Sequence, residues 1–162
     1  MDDTPEQIDT EIAKAYERVT ALSLERLSIS AQLYEFGRFM QMGIDGLREA
    51  CKLDAIGAVV NDGLRGSCAE LFARYDEAQT AMDAARALYE LAESRYRGWS
   101  RFFMVPGGHI HASLSCKTCN KVGQSTAFTW LSHLSGLTEA EAVAEYGPVL
   151  CTVCFPSAPL YW

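Results

Sequence analysis

Cys116-Lys117-Thr118-Cys119 and Cys151-Thr152-Val153-Cys154 are two CxxC pairs. In each, a tight turn can point both thiolates at one ion, and two such knuckles supply the tetrahedral sulfur set that zinc prefers. The 31 residues between the pairs exceed the usual linker of such motifs, yet they carry enough structural signals to fold as an ordered insertion. Uncoordinated thiols or a redox pair are the alternatives. The doubled spacing favours a zinc site built from Cys116, Cys119, Cys151 and Cys154. A unit this small cannot close on burial alone, so zinc binding becomes part of its folding free energy.

Two further sets of residues could do chemistry. His109 and His111 lie two apart in a predicted strand, so they share one face with Ser113 and Ser115 while Ile110, Ala112 and Leu114 point the other way. Such a pair can bind a second metal, replace a cysteine at the zinc, or serve as general acid and base on a phosphodiester. The plainer reading places both at the surface or behind the ligands, since no Asp or Glu lies nearby in sequence to orient them. His133 is a lone histidine with a structural reading. Arg95, Arg97 and Arg101 are interleaved with Tyr96, Trp99, Phe102 and Phe103, a mixture that can hold phosphates and stack on bases. Packing between domains accounts for the same aromatics. The chain has no phosphate-binding glycine loop, Ser-His-Asp pattern or HExxH helix.

These residues must be positioned by the elements around them. Arg101 to Val105 and Ile110 to Ser115 read as strands joined by the turn Pro106-Gly107-Gly108, and the second leads into the first knuckle. Ala127 to Leu131 reads as a third strand. Thr138-Glu139-Ala140-Glu141 is a capping box that opens a helix to Tyr146, with Gly147-Pro148 as its stop. The tail Phe155 to Trp162 is apolar enough to fold back over this unit.

The first hundred residues are of a different kind. Thr4-Pro5-Glu6-Gln7 is a helix start, after which Ile8, Ile12, Ala15, Val19, Leu22, Arg26, Ile29, Leu33, Phe36 and Met40 step by four and three along one face. Leu64, Cys68, Leu71, Tyr75, Ala78, Met82, Ala85, Tyr89, Ala92 and Tyr96 repeat the pattern, with a capping box at Ser67 to Glu70. Two seams of equal length predict an antiparallel helical hairpin, coiled-coil-like, each arm roughly 50 Å long at 1.5 Å per residue. A short helix from about Leu47 to Val60 would cap its open end, and Cys51 and Cys68 read as isolated buried thiols. Arg26 interrupts the stripe and requires a carboxylate partner or a route to solvent. Leu24, Leu27, Ala31 and Tyr34 flank the seam; they either close a three-helix core or form a surface for another protein.

The formal net charge is −7, and division at Gly98 leaves 11 basic and 18 acidic residues before it, 3 and 3 after. An acidic helical part disfavours non-specific nucleic-acid binding, which needs a basic stripe. The acidic start Met1-Asp2-Asp3 and the lack of a membrane-length apolar run predict a cytoplasmic protein with no membrane association. In that compartment six cysteines favour metal ligands or isolated thiols over disulfides.

Gly98-Trp99-Ser100-Arg101-Phe102-Phe103, Gly108-His109-Ile110-His111 leading to the first knuckle, and Leu150 to Pro159 around the second together resemble a four-cysteine zinc-binding module of small actinobacteriophage proteins. Trp130-Leu131 and Leu134 to Thr138 belong to the same likeness, which covers about the last 65 residues. The resemblance implies a phage-encoded intracellular protein with its zinc module joined to a variable helical partner, and implies no particular activity.

The expectation is therefore an α+β protein: a helical hairpin domain over residues 1–98 and a small β-rich zinc domain over 99–162. Its expected role is non-enzymatic, binding itself or a host protein. The alternative is a nucleic-acid-binding or nuclease-like zinc protein using His109, His111, Arg95, Arg97 and Arg101.

Overall fold

Thr4 accepts a hydrogen bond from the Gln7 amide at 3.3 Å and its own amide donates to Gln7 Oε1 at 2.8 Å, so the helix start is closed reciprocally. In the computed structural model, residues 3–39, 41, 43–52, 62–119 and 126–159 are described, except for the side chains of 39, 50, 52 and 62–67. Helix α1 spans Pro5–Phe39, α2 Ile44–Lys52 and α3 Asp62–Glu93. Strands β1 (Phe103–Met104), β2 (Ile110–His111) and β3 (Thr129–Trp130) form an antiparallel sheet in the order β2-β1-β3, followed by α4 (Glu139–Tyr146). The protein is α+β.

Packing divides the chain into two compact units, one of residues 15–89 and one joining 1–14 to 90–162. In the first, α1 and α3 run antiparallel: Leu22 meets Met82 and Ala85, while Ile29 and Leu33 meet Leu71, Phe72 and Ala78. Every member of the two predicted stripes whose side chain is described is buried or half-buried. Leu47 of α2 enters the Ile29–Leu33–Leu71 cluster, so α2 packs on one end of the hairpin as expected; residues 53–60 of the longer helix predicted there lie outside the described residues. Arg48 fixes α2 with two bonds to Asp76 (2.8 and 2.9 Å) and lies 4.6 Å from the centre of the Phe72 ring. The capping box at Ser67 falls inside α3, which starts at Asp62.

Among the described residues, Arg26 meets no carboxylate directly. Its Nη1 donates to Gln79 Oε1 at 3.1 Å and to the Tyr75 hydroxyl at 3.4 Å, and Gln79 Nε2 in turn donates to Asp83 at 2.9 and 3.0 Å. An amide thus carries the negative partner one step away.

The second unit explains why packing does not follow the change of composition at Gly98. Asp9, on the first turns of α1, accepts from Trp99 Nε1 at 2.8 Å and from Arg101 Nε at 2.9 Å, and Thr10 donates to Ser132 at 2.9 Å. The ends of both long helices therefore belong with the cysteine-rich part. Within it the strands are two residues each, shorter than the predicted runs, and Val105–Gly108 closes the β1–β2 hairpin with Gly107 at φ 67°. Thr138 caps α4 with the capping box read from its sequence. Phe155 stacks on Phe102 at 5.6 Å with rings nearly parallel, and Ala158 is buried, so the tail folds back as far as it is described; Leu160 to Trp162 lie outside the described residues.

Candidate metal centre

The second knuckle is built onto the sheet. Ile110 of β2 bridges Leu150 in parallel, and the Cys151 amide donates to the Ile110 carbonyl at 2.9 Å. The edge of β2 that does not pair with β1 is therefore taken by the segment that enters the knuckle, which covers an exposed strand edge and sets the thiols beside the strand. Each CxxC closes as a turn: the Cys119 amide reaches the Cys116 carbonyl at 3.3 Å, and the Cys154 amide reaches that of Cys151 at 3.0 Å.

Despite the long intervening stretch, the couples converge. Donor atoms of Cys116, Cys151, Cys154 and His111 all lie within 4.8 Å of one another. Cys119 is at the edge of this group, with Sγ 4.0 Å from His111 Nδ1 and 3.3 Å from the Cys116 carbonyl, to which it donates. Thr118 joins the couples, its hydroxyl 3.1 Å from Cys116 Sγ and 3.4 Å from Cys151 Sγ.

The two histidines separate. His111 is 3% exposed and its Nδ1 lies 3.7 Å from Cys154 Sγ, whereas His109 is exposed on the rim of a groove shared with Thr118, Cys151 and Pro159. The shared polar face predicted for them is absent because β2 ends at His111 and both of its residues are buried: Ile110 enters the apolar core, and His111 faces the thiols and the Phe128 ring. His133 is exposed on a short 3-10 turn.

Electrostatics within the cluster are uneven. Burial pushes the Cys116 thiol up, but hydrogen bonds from the Thr118 side chain and backbone, then from Cys154 and His111, outweigh it and bring Cys116 down to about 6. Burial raises Cys154 to about 12 and also raises Cys119. A set of buried soft donors holding one readily formed thiolate suits a cation, whose charge would draw off the remaining thiol protons. The group is thus compatible with a metal ion.

The arginines are differently occupied. Arg101 reaches Asp9 and makes paired hydrogen bonds to Glu93 at 2.7 and 3.1 Å, with its guanidinium 3.5 Å from the centre of the Tyr96 ring. Arg95 pairs with Asp3 and Glu11, and Arg97 donates to the Ser94 and Tyr96 carbonyls. Sequence reasoning did not find Asp9, one acid among many on α1, nor the approach of Cys51 to Cys68. The only signal for Asp9 was an arginine followed by aromatics that needed a counter-charge. No family model, curated protein or solved structure matches the chain.

Proposed function

We propose that this is a non-enzymatic interaction protein that binds a second copy of itself, or a host protein, through its helical hairpin, with zinc holding the cysteine-rich unit folded. The observation that carries the reading is the stripe Leu24, Leu27, Ala31 and Tyr34 on α1, all exposed, with Leu24 at 63% and Tyr34 at 60%. Their spacing places them along one side of the helix, away from the seam used against α3, and large apolar side chains repeated in this way suit a partner. Zinc is supported by three soft sulfur donors and one imidazole at a single buried point. Cys116, Cys151 and Cys154 are the ligands common to both candidate sets; the fourth place falls to Cys119, as the paired CxxC spacing has it, or to His111, whose ring nitrogen lies with those three sulfurs.

The resemblance to phage modules supports a cytoplasmic setting in a host cell. No helix among the described residues is long and apolar enough to cross a membrane. Two of the three arginines of the nucleic-acid reading, Arg95 and Arg101, are engaged by carboxylates, which leaves Arg97 alone to face a phosphate. Light scattering on the zinc-loaded protein tests the self-binding form. The expected mass is that of a dimer or higher assembly, reduced to a single chain by Leu27→Glu; a monomer at all concentrations that also retains no host protein would overturn the reading.

A further inference from the structure

Cys51, near the end of α2, and Cys68, in α3, place their sulfurs 3.0 Å apart, closer than two sulfur atoms pack without a bond or a shared proton. We propose that these residues form a reversible disulfide, a redox-sensitive staple of α2 onto α3 that uses none of the metal donors. The pair is 17 residues apart in sequence, and both thiols adjoin one apolar cluster with Leu47, Leu71 and Phe72. Their separation must shrink by about 1 Å to reach the S–S bond length of about 2.05 Å, a shift within the reach of side-chain rotation.

Exposure assigns the order of events. Cys68 is 2% exposed and shielded from an external oxidant, while Cys51 is half-buried and accessible. The oxidant class is a low-molecular-weight disulfide. Cys51 loses its proton and its thiolate attacks one sulfur of that disulfide, breaking the S–S bond and releasing one small thiolate, which is then protonated. Cys68 likewise loses its proton and attacks Cys51 Sγ in the mixed disulfide, expelling the second small thiol. The two protein thiols thereby lose two electrons and two protons, and the incoming disulfide is reduced to two thiols.

The test incubates the full-length, zinc-loaded protein with oxidised glutathione, then alkylates remaining thiols and maps peptides by mass spectrometry. The wild type is expected to lose two of its six thiols, give a peptide linked through Cys51 and Cys68, and recover both thiols with dithiothreitol. Cys68→Ser should stop at a stable glutathione adduct on Cys51, and Cys51→Ser should leave Cys68 unmodified. A wild type that keeps both thiols, stops at the Cys51 adduct, or joins Cys51 to another cysteine would overturn the proposal.

Discussion

A carboxylate with no exposed surface is costly unless donors surround it, and Asp9 meets that requirement with the Trp99 indole and the Arg101 guanidinium. Removing it leaves Arg101 with Glu93 and orphans the indole, so Asp9→Ala should destabilise the protein by about 3 kcal/mol in urea unfolding. A change under about 1 kcal/mol would mean that water replaces Asp9 without loss. For the proposed zinc the choice of ligands is also set by single residues, since the cluster and Cys119 together present five donors for the four places that zinc takes. Singly, His111→Ala and Cys119→Ser should each retain one zinc per chain with weakened affinity, and the double variant should lose it. Cys151→Ser, which removes a donor common to both ligand sets, should weaken binding more than either single variant, with elemental analysis after dialysis as the readout. The CxxC couples were legible because both ligands of a knuckle come from one local turn. The place of His111 was not, because it depends on which distant segment covers the edge of β2.

Among the helices and strands, local rules served well at the starts of α1 and α4, where the interaction spans four residues, but not at Ser67–Glu70, which lies inside α3. The Thr4–Gln7 and Thr138–Glu141 boxes are both formed, since their donors and acceptors meet within a single helical turn. Hydrogen bonds to Glu141, first from the Thr138 amide and then from its side chain, hold that carboxyl below its ordinary value of 4.5. A depressed folded-state value means that the cap contributes fully above about pH 4.5 and is lost as pH falls through the folded value. Unfolding measured from about pH 6 to about pH 2.5 should therefore show a flatter acid limb for Glu141→Gln than for the wild type, and equal limbs would contradict the cap's role. Strand lengths were overread: an apolar run predicts a strand, but pairing extends only where a neighbour exists, and here each neighbour is two residues long. Arg26 is a related case, its stripe position being legible and its Gln79–Asp83 relay depending on the facing helix.

Taken as a molecule, the protein rests on different forces in its two compact units. The unit of residues 15–89 buries two long apolar stripes, whereas the cysteine-bearing unit has a short sheet and a small core around Phe102, Ile110 and Phe155. Chelation should then shift the fluorescence of Trp99 and Trp130 and sharpen proteolysis within residues 90–162, with far-UV helical signal largely kept. A chelated protein with unchanged fluorescence would show that the small core stands without metal. The order of residues was enough to specify the helical seams, the α4 cap, the turn at Gly107 and the pairing of each cysteine with its neighbour, because periodicity and short-range hydrogen bonding are written over a few consecutive residues. Tertiary packing was needed to bring the first turns of α1 into the cysteine-rich unit, to set Asp9 against Arg101, to turn His111 rather than His109 toward the thiols, and to bring Cys51 to Cys68. Each of these joins residues that no local pattern links, and such contacts are set by which surfaces pack together.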